Sequence, residues 1–310
     1  MSKEPWKVAV VGLGKIANDQ HLPSIARLPD YTFAASVSRS GGVEGVENFT
    51  ELDALLAARP DIEVISLCVP PQVRYEMARA ALEAGRHVML EKPPGATLGE
   101  VEDLSSLAAE RGLVLYATWH SRHAPAVGPA KAWIAERSPS AVRINWKEDV
   151  REWHPGQQWI WEPGGLGVFD PGINALSMLT AIWPMPIRLV SAELGFPENR
   201  ATPIRADLAL RDPAGTPMEV AFDWAHEGPP LWDLEVDASG ETLKLSGGGK
   251  RMEVDGRLVL EEPEAEYDGL YREFAGLLDT GARNVDVTPL RIVADAFLTG
   301  RITHTAPFHD

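Results

Sequence analysis

Lys92 is the residue of this chain best placed to do chemistry. It stands in Glu91-Lys92-Pro93, directly after the apolar run His87-Val88-Met89-Leu90. The proline disfavours helix at the residue before it, so the lysine is expected to sit extended at the carboxyl end of a parallel strand. Ligands bind along that edge in open α/β sheets, and an ammonium group there can stabilise negative charge developing on a reacting oxygen. A second stretch, Gly164-Gly165-Leu166-Gly167-Val168-Phe169-Asp170-Pro171-Gly172-Ile173-Asn174, supplies a possible partner. Spaced four apart, Asp170 and Asn174 share one helix face. The carboxylate can take up a proton; the amide cannot at working pH. The glycines are expected to let backbone approach a ligand closely.

Other polar candidates surround these two. His120 follows a predicted strand end, and Glu148 ends the predicted strand Ala141–Lys147. Trp153 and His154 fall in a Pro/Gly-rich loop, and Trp232 begins a later strand. Carboxylates suit vicinal hydroxyls, and indole offers a flat apolar face with one N–H, matching the C–H face of a sugar ring. The chain has ten tryptophans, several of them between Trp146 and Trp161; core filling accounts for most. His21 is expected to pack against the first helix or to face a cofactor.

The segment Gly12-Leu13-Gly14-Lys15-Ile16-Ala17 fits G-x-G-x-x-A between a strand and a helix. Gly12 permits the tight turn, Gly14 lets backbone approach a pyrophosphate, and Ala17 lets helix and strand pack. Lys15 and Ile16 open the helix whose N–H groups would face the phosphates. A site for NAD usually places an acid after the second strand to hold the ribose. This chain has Val37-Ser38-Arg39-Ser40 instead, and the Ser38 hydroxyl and Arg39 guanidinium suit a 2′-phosphate. NADP is therefore the expected preference, with NAD possible. Cys68-Val69-Pro70, Glu91 and Lys92, at neighbouring strand ends, complete the expected cofactor side.

Positioning these groups requires a particular order of elements. Up to about residue 120 strands alternate with helices: strands at Lys7–Val11, Phe33–Val37, Val64–Val69, Val88–Leu90 and Val114–Ala117, helices at Lys15–Leu28, Glu51–Ala58, Arg74–Ala84 and Leu98–Arg111. That alternation predicts a doubly wound parallel sheet. A helix is then expected over Gly165–Ile182. Period-two strands follow at Ala206–Leu210, Met218–Asp223, Trp232–Asp237, Thr242–Leu245 and Arg251–Val254, with closing helices at Tyr267–Leu278 and Leu290–Leu298. The pattern predicts an open, largely antiparallel sheet in an α+β domain. The fold class is α/β, with residues 1–121 as a Rossmann domain and 122–310 as a substrate-binding and dimerisation domain.

The totals exclude several classes of function. At 310 residues with 45% apolar and 24% charged side chains, the chain suits a two-domain globular protein. A net charge of −16 argues against nucleic acid or an anionic membrane as partner. Met1-Ser2-Lys3-Glu4-Pro5 leads straight into a strand with no signal peptide expected, which points to the cytoplasm. Cys68, the only cysteine, excludes an internal disulfide, and packing within its strand suits it better than reactivity. No His/Asp/Glu grouping has metal spacing, so no metal is expected.

In this order, the fingerprint, Glu91-Lys92-Pro93 and the Gly-Gly…Asp170…Asn174 helix resemble the glucose–fructose oxidoreductase/inositol dehydrogenase family of sugar dehydrogenases. Within it, Leu90–Gly99, Ala117–Arg122, Trp146–Val150 and Trp153–Asn174 are most similar to the C1 dehydrogenases of L-arabinose and D-galactose. The resemblance implies a Rossmann domain, an open sheet that often makes a homodimer, and a lysine at Lys92 near the reacting hydroxyl. Many members carry histidine where this chain has Asn174, which moves proton transfer to Asp170 or Lys92. The resulting expectation is an NAD(P)-dependent aldose 1-dehydrogenase forming an aldonolactone, L-arabinose first. In it Lys92, Asp170 and Asn174 are catalytic, and His120, Glu148, Trp153, His154 and Trp232 join Asp170 and Asn174 in binding substrate. Two alternatives stand beside it: a cyclitol dehydrogenase, disfavoured by Asn174, and a non-catalytic dinucleotide sensor, disfavoured by Lys92 and Asp170.

Overall fold

The computed structural model describes residues 4–309, so Met1–Lys3 of the expected lead into the first strand lie outside the described residues. The first elements are β1 (Trp6–Val11), a π-helical turn (Ala17–His21), α1 (Leu22–Arg27), β2 (Tyr31–Val37), β3 (Glu47–Phe49) and α2 (Leu52–Ala58). Then come β4 (Val64–Leu67), α3 (Pro71–Glu83), β5 (His87–Leu90), α4 (Leu98–Glu110) and β6 (Leu115–Ala117). The six strands pair in parallel in the order β3-β2-β1-β4-β5-β6. The direction of winding reverses between β1 and β4, and ligands of doubly wound sheets bind at such a reversal. Two local expectations change. The helix expected over Lys15–Leu28 is divided between the π-helical turn and α1. β4 stops at Leu67, leaving Cys68 half-buried in the turn after the strand.

The second group of elements begins with α5 (Val127–Ala135), β7 (Pro139–Lys147), the single-turn α6 (Val150–Trp153) and α7 (Phe169–Ile182). It continues with β8 (Arg188–Pro197), β9 (Arg205–Arg211), β10 (Pro217–Asp223), β11 (Leu231–Ala238), β12 (Glu241–Ser246), β13 (Arg251–Val254) and β14 (Arg257–Glu261). α8 (Glu266–Thr280), α9 (Thr288–Thr299) and β15 (Arg301–Thr305) close the chain. The sheet runs β14-β13-β12-β11-β7-β10-β9-β8-β15. It is antiparallel except that β7 pairs with β10, and β8 with β15, in parallel. Strand alternation sorts Val142, Ile144 and Trp146 inward while Arg143 and Asn145 face the other side. α7 packs between α5 and α9 in the helical layer. The helix expected from Gly165 starts at Phe169, because Gly164 and Gly167 adopt positive φ and turn the chain before it.

These elements form two compact units, one comprising the chain up to Trp119 with Tyr267–Val287, the other His120–Glu266 with the chain from Thr288 onward. The sequence reading assigns everything beyond residue 121 to the second domain; residues 267–287 instead return to the first unit. One face of the parallel sheet is covered by α2, α3 and α4 through Leu52, Leu55, Ala78, Leu82 and Leu104. The other carries only the short α1. Val8, Val10, Val64 and Met89 there need more cover, and Tyr267, Leu270, Tyr271, Phe274 and Leu278 of α8 provide it. Burying such side chains is worth about 1.5–3 kcal/mol each. Among the described residues, no helix is long and apolar enough to cross a membrane.

Candidate active site

The turn after β1 is built on two glycines with different demands. Gly12 has φ +88°, and a Cβ there would lie 2.8 Å from Val69 Cγ1 and 3.2 Å from the Cys68 carbonyl carbon. Only glycine lets this turn rest against the exit of β4, which joins Gly12 to Cys68 and Val69. At Gly14 a Cβ would meet no atom within 4 Å, so its backbone is exposed and open to a ligand. The Asn18 side-chain amide donates to the carbonyls of Leu13 and Gly14, each at 3.0 Å, and holds the turn. The Lys15 ammonium pairs with Asp19, and Ile16 leads into the π-helical turn. This cradle fits the diphosphate of a dinucleotide.

Ser38 and Arg39 follow β2. The Ser38 hydroxyl lies 3.0 Å from that of Ser40, and the exposed Arg39 guanidinium donates to Glu51 Oε1 at 2.9 Å. Pro70 caps the start of α3.

At the end of β5 the chain turns through Glu91-Lys92-Pro93, with a cis Lys92–Pro93 peptide. The Glu91 side chain points inward and is buried. Its Oε1 accepts from Tyr267 Oη at 2.8 Å and lies 3.0 Å from His21 Nε2; its Oε2 accepts from the Lys92 backbone N–H at 2.7 Å. The other ring nitrogen of His21, Nδ1, lies 2.8 Å from Tyr271 Oη. Burial works against the charged imidazole, but Cys68, Tyr271 and Glu91 outweigh it and raise the His21 pKa well above its usual value. From the first turn of α3, the buried Arg74 guanidinium donates to the carbonyls of Glu91, Pro93 and Val69. The lysine loop is thus fixed through its backbone, with the Lys92 side chain half-buried. Past the loop, α4 starts on a capping box between Thr97 and Glu100.

The second unit gathers five of the expected residues. Glu148, directly after β7 and buried, accepts from Trp224 Nε1 at 3.1 Å and from Trp232 Nε1 at 2.8 Å. His154, just past α6, lies with Nε2 3.5 Å from Glu148 Oε1 and Nδ1 3.8 Å from Asp170 Oδ2. Its ring meets Trp224 edge-on at 5.0 Å, and Trp153 meets Trp232 in the same way at 4.9 Å. Asp170 is buried in the first turn of α7, where the helix N-terminus favours its negative charge. Asn174, half-buried, lies one turn further along. His120 is paired with the Glu266 carboxylate.

The glycines before α7 do a different job from the one expected. A Cβ at Gly165 would lie 2.4 Å from the Trp159 carbonyl oxygen, and one at Gly167 2.3 Å from that of Pro203. At Gly172 it would strike the Phe222 ring at 2.7 Å. Gly165 and Gly167 let the entry loop of α7 lie against the protein's own carbonyls, and Gly172 lets the helix lie against the Phe222 ring. Sequence reasoning missed Arg74, Trp224, Tyr267 and Tyr271 as supports. The i, i+4 spacing of the two tyrosines was a legible signal; nothing marked Arg74 off from other helix arginines.

Comparison with known proteins follows the same division. Residues 6–118 match an oxidoreductase family described by its NAD-binding Rossmann fold, GFO/IDH/MocA. A galactose 1-dehydrogenase of Pseudomonas fluorescens is 41% identical over 311 aligned residues, covering 99% of this chain and 100% of that protein. The crystal structure of a D-galactose-1-dehydrogenase protein from Rhizobium etli shares 52% identity and superposes with a TM-score of 0.96, over 100% of this chain and 99% of that one. A 3-ketoreductase of Actinomadura kijaniata, crystallised with NADP, shares the fold alone, at 20% identity and a TM-score of 0.86 over 97% and 99% of the two chains.

Proposed function

Because the chain belongs to the GFO/IDH/MocA family of oxidoreductases, we propose that it is an NADP-using aldose 1-dehydrogenase forming an aldonolactone. The names of its full-length relatives put D-galactose first, where the sequence reading put L-arabinose. The two pyranoses share ring configuration and differ by one hydroxymethyl group, a difference typically worth roughly 1–3 kcal/mol in discrimination. The observation that carries the reading is the cluster in the second unit. A buried acid at the helix start and a carboxylate held by two indole N–H groups stand together with the Trp153 and Trp232 rings. Acid, hydroxyl acceptor and flat apolar face are what oxidation of a cyclic sugar requires.

When bound, the dinucleotide supplies nicotinamide C4 as hydride acceptor. Gly12, Gly14, Lys15 and Ile16 hold its diphosphate, Cys68, Val69 and Pro70 line its side, and Ser38 and Arg39 take the 2′-phosphate. Lys92 holds the C1 oxygen and lowers the cost of its negative charge, while Asp170 accepts the anomeric hydroxyl proton. Asn174 orients the sugar; Glu148, His120 and His154 bind ring hydroxyls; Trp153 and Trp232 cover the ring. The Glu91 side chain serves by fixing Lys92. The polar sheet face bearing Arg143, Asn145, Asp207 and Glu219 is the homodimer surface in this reading, and sedimentation at graded concentrations tests it.

The decisive experiment is initial rates with NADP⁺ and NAD⁺ across D-galactose, L-arabinose, D-xylose, D-glucose and myo-inositol. Selective turnover of galactose and arabinose, faster with NADP⁺, is expected. Preferential oxidation of inositol, or no turnover, overturns the reading.

A further inference from the structure

The Glu148 carboxylate takes its place from two indoles, Trp224 on Oε1 and Trp232 on Oε2. An indole N–H lies in the plane of its ring, and hydrogen bonds weaken steeply as they bend, so the tilt of each ring steers the carboxylate. Trp224 is fully buried and packs on Trp161 with ring centroids 5.4 Å apart. Trp161 is buried as well, yet its Nε1 has no hydrogen-bond partner among the described residues. A ring without a polar anchor is oriented by packing alone. Two further groups pack on it, both remote in sequence. The Arg200 guanidinium stands over the ring at 5.0 Å, and the Phe308 ring meets it at 5.7 Å. Phe308 follows β15 and the exposed Ala306 and Pro307, and is itself half-buried. Asn199 holds it at two points, as a neighbouring strand would. The Phe308 N–H donates to Asn199 Oδ1 at 2.8 Å, and Asn199 Nδ2 donates to the Phe308 carbonyl at 2.9 Å. The next residues hold the main chain of the Trp161 turn: the Ala201 N–H donates to the Trp161 carbonyl at 3.1 Å, and Thr202 Oγ1 to that of Ile160 at 2.9 Å.

We propose that Phe308 is a positioning residue for Glu148, acting through Trp161 and Trp224. This rests on the dehydrogenase reading, in which Glu148 binds ring hydroxyls, and adds what keeps that carboxylate in place for the sugar. Phe308 itself touches neither sugar nor dinucleotide in this role. Removing its ring leaves a gap beside Trp161, which has no side-chain hydrogen bond to resist turning into it. Trp224 then loses the surface it packs on, and its N–H bends away from Glu148 Oε1. Asp170 is fixed by a separate attachment, since the Val168 N–H at the start of its helix donates to the Pro203 carbonyl at 2.8 Å. The base therefore keeps its place when the aromatic chain loosens. A contact made equally in ground and transition states shows in KM and leaves kcat alone, so the loss should fall on sugar binding and spare the chemical step.

The test combines kinetics with a direct view of the indoles. Phe308→Ala, Phe308→Tyr and Asn199→Ala are assayed with D-galactose and L-arabinose at saturating NADP⁺. Phe308→Ala should raise KM for both sugars about tenfold, equivalent to roughly 1.4 kcal/mol, with kcat within about threefold of the wild type. The two sugars should shift together, because Glu148 reads hydroxyls that both rings carry. Phe308→Tyr keeps the ring and should restore the wild-type KM. Asn199→Ala leaves every aromatic ring in place and removes the two hydrogen bonds on Phe308; it should raise KM in the same direction by less, and it carries the test if Phe308→Ala does not fold. The near-ultraviolet circular dichroism of the Trp161–Trp224 pair should change in Phe308→Ala without any ligand and recover in Phe308→Tyr. A fall in kcat with KM unchanged, or a KM raised equally in Phe308→Ala and Phe308→Tyr, overturns the proposal. No turnover by the wild-type protein removes the dehydrogenase reading and the positioning role with it. An active wild type whose Phe308→Ala and Asn199→Ala variants keep the wild-type KM removes the positioning role alone.

Discussion

His21 and His154 are both flanked by buried carboxylates, yet the two sites are finished differently. His21 is wholly buried, and both ring nitrogens have partners within hydrogen-bonding distance, at 3.0 and 2.8 Å. Around it Glu91, Tyr267, Tyr271 and the Lys92 backbone close a network that ties α8 to the lysine loop. His154 stands 3.5 and 3.8 Å from its two carboxylates, with no hydrogen-bond partner for Nδ1 among the described residues. A fully satisfied buried network fixes geometry, since every displacement breaks a bond. The first unit fixes its lysine loop through backbone hydrogen bonds; the second leaves the His154 ring 3.5 and 3.8 Å from its carboxylates.

The sharpest way to break this contrast is to disable the chemistry on each side. Asp170→Asn keeps the shape of the helix start and should lower kcat by about 10²–10⁴, with Tm near that of the wild type. Lys92→Met should lower kcat on a similar scale; near-normal turnover by that variant would refute the mechanism whatever the substrate.

Breaking the closed network should show in stability instead. Glu91→Gln leaves the His21 imidazolium without its counter-charge and should cost about 3–5 kcal/mol, as removal of one member of a buried pair does. Thermal melts check this, and retention of wild-type Tm would mean that the pair is dispensable. The pH dependence has a definite sign. A raised His21 pKa means that the folded state binds the proton more tightly than the unfolded state. Its contribution is complete below the unfolded value of about 6.5 and is lost as pH rises through the folded one. Tm should therefore fall with rising pH above that point in the wild type, and less steeply in His21→Gln.

The contrast also explains what the sequence could disclose. Strand–helix alternation and the G-x-G-x-x-A turn follow from local pattern, so the parallel sheet, the turn at Gly12 and Gly14 and the position of Lys92 at a strand end were legible at once. Period-two strands revealed β9 to β13, but not β8, whose burial pattern breaks the alternation, or β15, whose partner β8 is remote in sequence. α8 was legible as a helix, though its place was not, because only the uncovered face of the parallel sheet decides where it packs. Asp170 and Glu148 could be picked out by residue type. Their link through His154 is a contact between separate elements that no spacing encodes. The glycines before α7 misled for a related reason: close backbone approach was correctly inferred, but its object is the protein's own carbonyls.

Within the first unit the two fingerprint glycines make a finer comparison. Gly12→Ala meets both a positive φ and Val69 at 2.8 Å. It should lose about 1–3 kcal/mol of stability, the scale of backbone strain, along with dinucleotide binding. Gly14→Ala has open space and should melt like the wild type while KM for the dinucleotide rises. Equal losses of Tm in the two variants would show that Gly14 is also structural.

The smallest expected effect concerns Arg39, and magnitudes decide its direction. Its partner Glu51 is 60% exposed and the guanidinium 79%. Such a surface pair is worth about 0–1 kcal/mol, whereas hydrogen bonds to a charged group contribute about 1.5–3 kcal/mol. A 2′-phosphate should therefore draw Arg39 away from Glu51. Arg39→Ala should lower kcat/KM for NADP⁺ by about tenfold, equivalent to roughly 1.4 kcal/mol, while NAD⁺ changes by less than about twofold on the same scale. Glu51→Gln should leave NADP⁺ use unchanged or slightly improved. An equal fall for both dinucleotides in Arg39→Ala would place the guanidinium outside the ribose site and leave cofactor choice to Ser38 and its neighbours.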